Sequence, residues 1–330
     1  MFYDRPILFE PNYVRRIYLG GQRMRGISAP DLYPEHWLCS AVHALNEPSM
    51  GEYEGVSRIR GGEGMYFSDA LKKYPDELLG GKPELRVLVK IIDSAVRLPV
   101  QAHPDKSFSR RYFSSDHGKE EAWYIIDADA DSKIYYGFKD GVTKEELSRA
   151  VDASETDPDA MTALVDSFTP KPGDVVYIPS RLVHAIGAGV TLIEVQEPTD
   201  FTIQPERFCA DHRLSDSEMY LGLTKEQALG CFDMDKRYPA PLKPRLISDS
   251  DGVRMYELIG REQTDSFAMR LIESDGGSVT LCDPAAVCYL LKGGADSDGL
   301  DLKETDCFFI PAAAAGKIKI TGAFSLIECF

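Results

Sequence analysis

The chain has 330 residues, which is enough for two domains of ordinary size or for one large domain with an insertion. Its residues are 43% hydrophobic and 27% charged, as is typical of globular proteins, and no run approaches the roughly 18 apolar residues of a membrane helix. Its 37 basic and 53 acidic side chains give a formal charge of −16, which argues against nucleic acid or an anionic membrane as a partner. An anionic ligand would therefore need basic side chains or backbone N–H groups placed close to it.

The cysteines and the amino terminus indicate the compartment. Seven cysteines are scattered without a CxxC pair, so neither a disulfide framework nor a thiolate zinc site is indicated. The first residues include Asp4 and Pro6 and lack the basic region and apolar core of a secretory signal. We predict a cytoplasmic protein.

The chain up to residue 168 mixes short β-type runs with polar and helical segments. A polar loop is predicted over 108–117. Thr143 stands three residues before a glutamate, which is the spacing of a capping box, so a helix is predicted to begin there. Helical segments are accordingly predicted around 143–168 and, later in the chain, around 215–232.

The segment Lys171–Asp200 contains two predicted strands separated by a turn with a single histidine. Val175–Ile178 is a β-branched and aromatic run with Gly-Asp before it and Pro after it, and a second such run covers 190–195. The order Gly-Asp, Pro, His, Gly resembles the second motif of the cupin superfamily, whose histidine binds a metal inside a small β-barrel. A lone histidine such as His184 is more often a buried structural residue, so this interpretation depends on further ligands upstream.

The last part of the chain changes character after a proline-rich segment at 237–246. Residues 247–330 contain short strands separated by Gly, Asp and Pro turns, as in a sandwich or barrel. Thr305–Ala312 repeats the pattern of Pro172–Ser180, but alanines and a glycine follow where the first copy leads to a histidine. We predict a mainly β fold of two cupin-like jelly-roll barrels with a helical insertion. The first, over 1–240, binds the metal, and the second, over 241–330, is degenerate and lacks metal ligands.

Three candidate metal ligands precede the histidine segment. Gln101 and His103 are two residues apart at a strand end, so their side chains point to the same face. A glutamate follows about one hairpin later, and strand alternation lets only Glu121 or its neighbour Glu120 face the site. With His184, the set offers one amide oxygen, two imidazoles and one carboxylate. Such a set suits zinc and accommodates manganese, iron or cobalt.

Three motifs in the expected order resemble the type I phosphomannose isomerase family in its short bacterial form. They are LPVQAHPDK at 98–106, GKEEAWYII at 118–126 and PSRLVHAIGAG at 179–189, with weaker matches in RRIYLGGQ and EHWLCSAVHALNEPS. The resemblance covers most of the chain. It implies that zinc is bound by four residues, with Glu121 favoured over Glu120: Gln101, His103, Glu121 and His184.

The resemblance implies an aldose-ketose isomerase that interconverts mannose 6-phosphate and fructose 6-phosphate. A proton moves between C1 and C2 through an enediol, while zinc polarises the oxygen that becomes negative. Lys119 and Asp200 correspond to family residues of the active site and are candidate proton carriers, although Asp200 also fits a turn-capping role. Arg110 and Arg111 are candidate phosphate ligands that also fit a solvated loop. The protein is expected to be a monomer or a homodimer.

One position departs from the family pattern. Four residues after Asp200 the family has an arginine that acts on the substrate, and this chain has Gln204, which we retain as a candidate catalytic position. A neutral amide stabilises developing negative charge less well than a guanidinium. Arg207 or Arg213 is the candidate replacement. The alternatives are an isomerase of another sugar or sugar phosphate, a sugar-binding or regulatory cupin without turnover, and a metal-dependent cupin oxygenase.

Overall fold

The computed structural model describes all residues from Met1 to Phe330 and is built mainly from β-strands. The strands of the first 213 residues are β1 (Ile7–Leu8), β2 (Tyr13–Val14), β3 (Glu35–Leu38), β4 (Leu88–Ser94), β5 (Glu121–Ala128), β6 (Ile134–Phe138), β7 (Val165–Phe168), β8 (Val175–Ile178), β9 (His184–Ile186), β10 (Val190–Gln196), β11 (Phe208–Cys209) and β12 (His212–Arg213). The later strands are β13 (Arg245–Ser250), β14 (Val253–Ile259), β15 (Met269–Leu281), β16 (Ala286–Ser297), β17 (Leu300–Lys303), β18 (Cys307–Ile310) and β19 (Ile318–Cys329). The predicted mainly β fold is confirmed.

The helices are short and lie in the first 230 residues. They are α1 (Phe67–Lys73), α2 (Pro75–Leu79), α3 (Lys106–Phe113), α4 (Lys144–Ala153), α5 (Asp216–Tyr220) and α6 (Lys225–Leu229), together with single 3₁₀ turns at Phe2–Asp4 and Thr162–Leu164. No helix combines the length and the apolar character needed to cross a membrane.

The predicted capping box is confirmed at the start of α4. The hydroxyl of Thr143 accepts a hydrogen bond from the Glu146 N–H at 3.2 Å, and the Glu146 carboxylate accepts one from the Thr143 N–H at 2.9 Å. The predicted helical character of 155–168 is wrong over most of that span, which contains one 3₁₀ turn and the strand β7. The backbone N–H and C=O groups of β7 form hydrogen bonds with β6 instead of within a helix. Local sequence periodicity does not reveal such a distant partner.

Two other local predictions need correction. The segment predicted as a loop over 108–117 lies largely in α3, because the Asp105 side chain accepts the Phe108 N–H at 2.8 Å and caps a helix there. The helical region around 215–232 is present as two short helices, α5 and α6. The break between them falls at Leu221 and Gly222, both of which have positive φ angles that end a right-handed helix.

A six-stranded antiparallel sheet in the order β2-β3-β4-β10-β5-β8 forms the framework of the site. Every residue of β4 and β10 is buried, as expected for strands covered on both faces. Alternation sends Trp123 and Leu192 into one hydrophobic core and Ile91 and Ile193 into another. The first core also contains residues of the three-stranded sheet β7-β6-β9, so the two sheets pack together.

The second core joins this sheet to the C-terminal one. The C-terminal sheet has eight strands, in the order β1-β18-β16-β19-β15-β14-β13 with β17 paired to β16. Ile7 and Leu8 of β1 pair with Phe309 and Phe308 of β18, so the amino terminus contributes an edge strand to the C-terminal half. The repeated motif is a strand in both copies, β8 and β18. The number of barrels and the boundary near residue 240 stay predictions.

Candidate metal centre and cavity

The predicted ligands come together where a loop crosses the start of β9. Gln101 and His184 form an antiparallel bridge in which each backbone N–H donates to the other residue's carbonyl at 2.9 Å. Because directly paired residues point to the same side, the Gln101 and His184 side chains share one face. Glu121 is the first residue of β5, and His103 lies two residues after Gln101. Strand pairing in the fold thus brings all four residues into one region.

Three of these side chains form a compact, buried cluster. Candidate ligand atoms of His103, Glu121 and His184 lie within 4.8 Å of one another. The His103 Nε2 is 3.1 Å from one Glu121 carboxylate oxygen, and the His184 Nε2 is 3.3 Å from the other. All three side chains are at most 1% exposed. Such spacing leaves room for one cation between two imidazoles and a carboxylate.

Backbone carbonyls fix the orientation of both imidazoles. The His103 Nδ1 lies 3.1 Å from the Phe201 carbonyl oxygen, and the His184 Nδ1 lies 2.9 Å from that of Leu182. Since a carbonyl oxygen only accepts, each Nδ1 carries the proton and each Nε2 presents a lone pair to the cluster. Fixing metal-binding histidines through the other ring nitrogen is the usual arrangement around a bound metal.

The polar atoms of the cluster also fit a cation. One Glu121 carboxylate oxygen and the His184 Nε2 are buried without a hydrogen-bond donor. Burial, followed by the charge of Lys119, lowers the pKa of His103 to about 3. Burial opposes ionisation of Glu121, but His103 and Lys119 outweigh it and hold its pKa well below the ordinary value. Deprotonated ligands with unsatisfied lone pairs are what a divalent metal requires.

A cavity of about 510 Å³ opens beside this cluster and is lined by Gln101, Lys119 and Glu121. The Lys119 ammonium is 3.4 Å from the Glu121 carboxylate, 3.2 Å from the His103 Nε2 and 3.3 Å from the Thr202 hydroxyl. Lys119 is therefore held between the metal cluster and the cavity. A volume of this size accommodates a small polar ligand.

Asp200 also lines the cavity, and its carboxylate is already engaged. Arg16 donates to both Asp200 oxygens, at 3.0 and 2.9 Å, and the Leu45 N–H donates to one of them at 2.9 Å. Burial opposes ionisation, but Arg16 and then Lys90 lower the pKa of Asp200. These contacts suit a role in which Asp200 holds the Arg16 guanidinium in place at least as well as a role as proton carrier.

Two charged residues of the cavity wall, Lys90 and Glu194, were missed at the level of sequence. The Lys90 ammonium lies 3.5 Å from Glu194, 3.6 Å from Glu35 and 3.8 Å from Asp200. Burial, and next the charge of Glu121, raise the pKa of Glu194, whose Oε1 has no hydrogen-bond donor. The sequence does carry a signal for these two residues. Each is the only charged residue in a mostly apolar strand run, VLVKII for Lys90 and VTLIEV for Glu194.

Gln204 lies in the cavity wall, as does Asp200. Its side-chain amide donates to the backbone carbonyl of Glu218 at 3.1 Å, and its own N–H donates to the Met219 carbonyl at 3.1 Å. The amide therefore ties the loop to α5.

The predicted arginines lie elsewhere. Arg110 is exposed and pairs with Asp116 at 2.8 Å, while Arg111 lines a separate, more open groove. Arg207 pairs with Glu155 and Asp216. None of these three arginines, nor Arg213, contributes to the cavity lining. Their assignment as substrate ligands stays a prediction that the geometry of this cavity does not support.

Comparison with known proteins identifies relatives with a shared activity in their names. No protein-family model matches the chain. The mannose-6-phosphate isomerase of Streptococcus mutans is 30% identical over 250 residues, which are 74% of this chain and 72% of that protein. Mannose-6-phosphate isomerase ManA of Bacillus subtilis is 40% identical over 203 residues, which are 60% of this chain and 59% of that protein. The chain thus matches less than two thirds of the length of ManA.

Solved structures share the fold over nearly the whole chain. The mannose 6-phosphate isomerase from Bacillus subtilis superposes with a TM-score of 0.80 at 23% identity and covers 99% of both chains. A single-residue variant of phosphomannose isomerase from Salmonella typhimurium superposes with a TM-score of 0.73 at 15% identity, again over 99% of both chains. The likeness extends across both halves of the chain.

Proposed function

Because the chain belongs to the mannose-6-phosphate isomerase family, we propose that it interconverts mannose 6-phosphate and fructose 6-phosphate in a metal-dependent aldose-ketose isomerisation. The observation that carries the proposal is the buried cluster of His103, Glu121 and His184 beside a cavity whose wall holds Lys119 and Glu194. Moving a proton between adjacent sugar carbons requires a proton carrier next to an electrophile, and this arrangement can supply both.

His103, Glu121 and His184 would hold the metal, and Gln101 is the proposed fourth ligand. Two imidazoles with one or two oxygen ligands favour zinc, although other divalent metals suit the same donors. A cation bound there would supply Lewis-acid polarisation of the sugar oxygen that becomes negative. The buried setting of the three ligands would strengthen that electrostatic effect relative to bulk water.

Lys119 and Glu194 are the best-placed groups for the proton transfer. Lys119 contacts the proposed ligand Glu121 and lines the cavity, so its ammonium would stabilise negative charge that develops on a sugar bound beside the metal. Glu194 lines the same wall, and its raised pKa brings the carboxyl closer to the working pH of a general acid or base. Asp200 stays a candidate, with the positioning of Arg16 as its second role.

A coupled assay tests the proposed activity. Zinc-loaded protein should form fructose 6-phosphate from mannose 6-phosphate, and His184→Ala should lose both bound zinc and turnover, since a ligand is removed. The exposed histidine His212 provides the matched control, and His212→Ala should retain both. Metal content is measured by elemental analysis. Zinc-loaded protein that turns over no sugar, or full activity after complete removal of metal, would contradict the proposal.

A second candidate is isomerisation of a different sugar, which the neutral Gln204 in the cavity wall favours. A panel of aldose phosphates and the corresponding unphosphorylated sugars decides between them. A higher kcat/KM for another sugar reassigns the substrate, whereas binding without turnover for the whole panel favours a sugar-binding or regulatory protein. The cytoplasmic location and the monomeric or homodimeric state stay predictions from the sequence.

A further inference from the structure

Four basic residues line the cavity, and three of them are neutralised by carboxylates inside it. Arg16 pairs with Glu35 at 3.0 Å and with Asp200 at 2.9 Å. Lys90 lies between the carboxylates described above, and Lys119 pairs with Glu121. The fourth basic residue, Arg15, has no ion pair and no hydrogen bond from its guanidinium.

The buried interior of the cavity does not favour an added anion. The charged side chains around the metal cluster and Arg16 are three cations and four carboxylates, a formal charge of −1, namely Arg16, Lys90, Lys119, Glu35, Glu121, Glu194 and Asp200. Two further carboxylates line the cavity, and both already accept hydrogen bonds, Glu47 from the Ser217 hydroxyl and Glu218 from the Ser215 N–H. A bound divalent cation would reverse the sign, but in the proposed reaction its charge would act on the sugar oxygens. A phosphate of charge near −2 would have to give up its hydration without an unpaired donor in this part of the cavity.

Arg15 has a fixed backbone and a free head group. Its carbonyl accepts a hydrogen bond from the Asn46 side-chain amide at 2.7 Å, and the residue directly follows strand β2. Its side chain is half-buried, in contrast to Lys90 and Lys119, which are buried. Arg15 is therefore more exposed than Lys90 and Lys119, and little backbone ordering is needed for its guanidinium to bind a ligand.

Two other polar side chains of the cavity lining, Ser217 and Gln204, are not free to bind an anion. The Ser217 hydroxyl donates to Glu47 at 2.8 Å, and the Gln204 amide donates to a backbone carbonyl. The unpaired Arg15 guanidinium in the same cavity lining matches an oxyanion group that can accept two parallel hydrogen bonds.

We propose that Arg15 binds the phosphate group of the substrate and sets the preference for a phosphorylated over an unphosphorylated sugar. The inference rests on the proposed function and deepens it. Arg15 makes no hydrogen bond or ion pair to His103, Glu121, His184 or Lys119, so its proposed contribution is to binding and specificity. Its loss should therefore raise KM far more than it lowers kcat.

The test compares Arg15→Ala, Arg15→Lys and the matched control Arg149→Ala, which removes an exposed arginine from helix α4. With zinc-loaded protein and mannose 6-phosphate, Arg15→Ala should raise KM about 10- to 100-fold, since a charge-assisted hydrogen bond to an anion is lost. Arg15→Lys should recover part of this loss, because lysine keeps the positive charge but lacks the paired N–H donors of a guanidinium. Arg149→Ala should leave KM within about twofold.

Inorganic phosphate provides a second readout that does not depend on turnover. Its dissociation constant, measured by calorimetry on zinc-loaded protein, should rise about tenfold or more in Arg15→Ala and stay unchanged in Arg149→Ala. Circular dichroism and metal content of each variant establish that fold and metal centre are retained.

Two results overturn the role of Arg15. They are an unchanged KM for mannose 6-phosphate in folded Arg15→Ala, and phosphate affinity equal to that of the unsubstituted protein. Failure of the proposed function has a different signature, since unsubstituted zinc-loaded protein would then turn over no sugar. In that case the calorimetric measurement with inorganic phosphate would still decide whether Arg15 binds an anion.

Discussion

At the scale of single residues, Glu328 is a carboxyl group buried in the C-terminal sheet, apart from the cavity. It is 1% exposed, and one of its oxygens has no hydrogen-bond partner. The other lies 3.4 Å from Arg270, which also pairs with Asp283. Burial, and next the charge of Asp283, raise the pKa of Glu328 to about 7. The folded protein therefore holds a proton there that the unfolded chain releases at lower pH.

This shift predicts that Glu328 reduces stability as pH rises. A carboxyl with a raised folded pKa stabilises the fold below its unfolded pKa near 4.5, and this contribution is lost as pH rises through about 7. Glu328→Gln stays neutral, so its free energy of unfolding at pH 8 should exceed that of the unsubstituted protein by up to about 3 kcal/mol. The gain should be much smaller at pH 5.

Urea unfolding at pH 5, 6.5 and 8 measures the effect. Glu52→Gln, at an exposed position, is the control and should show no pH-dependent difference. A stability difference between Glu328→Gln and the unsubstituted protein that is equal at pH 5 and pH 8 would mean that Glu328 does not titrate as described.

At the scale of elements, a row of paired side chains crosses four strands of the six-stranded sheet. Trp37, Lys90, Glu194 and Trp123 are direct neighbours on β3, β4, β10 and β5. The Lys90 ammonium lies 4.9 Å from the centre of the Trp37 ring, and the Trp123 indole N–H donates to Glu194 at 2.9 Å. Strand register therefore brings a buried cation and a buried carboxylate together at the cavity wall.

Removal of Lys90 alone should be strongly destabilising. Lys90→Met leaves Glu35 and Asp200 with Arg16 as their remaining ion-pair partner and leaves Glu194 without one. Removing one partner of a buried ion pair costs about 3–5 kcal/mol. The double variant Lys90→Met/Glu194→Gln removes one of the unpaired charges and should regain part of that loss. Denaturant unfolding of these two variants, of Glu194→Gln and of the unsubstituted protein provides the coupling energy.

The exposed Lys144 supplies the control for this series, and Lys144→Met should change stability by less than about 0.5 kcal/mol. Strict additivity of the Lys90 and Glu194 substitutions, or a Lys90→Met variant as stable as Lys144→Met, would rule out the proposed coupling across the sheet.

At the scale of the whole molecule, an aromatic chain connects the amino terminus to the C-terminal sheet. The ring centroids of Phe9 and Phe67 are 4.9 Å apart, as are those of Phe67 and Phe309. All three side chains are buried in the core that lies between the two large sheets. The two halves of the chain are therefore joined by packing as well as by the strand β1.

We predict that Phe9→Ala loosens this junction. Removing a buried phenyl ring costs about 3–5 kcal/mol, and the loss should appear locally as faster hydrogen exchange in α1 and β18. Tyr33→Ala removes a partly exposed ring, 37% accessible, and should leave both elements protected. Exchange in α1 and β18 that is unchanged by Phe9→Ala would show that β1 and the remaining contacts suffice.

The sequence by itself determined the features that depend on neighbouring residues. Strand runs bounded by turn residues predicted a mainly β protein, and Thr143 with Glu146 predicted a helix start that the structure confirms. Three motifs were sufficient to identify the family and to place His103, Glu121 and His184 in one site. Local hydrogen bonding and periodicity carry the strand and helix signals, whereas the family and its ligand set rest on the resemblance of the three motifs.

Only the tertiary structure decided which charges are paired. Asp200 and Arg16 are 184 residues apart, and Lys90 meets Glu194 because of strand register. The same contacts left Arg15 as the cavity guanidinium without a partner and withdrew Arg207 into ion pairs elsewhere. Whether a charged side chain is free to bind substrate depends on partners that the fold brings within about 4 Å, and a linear sequence does not contain that distance.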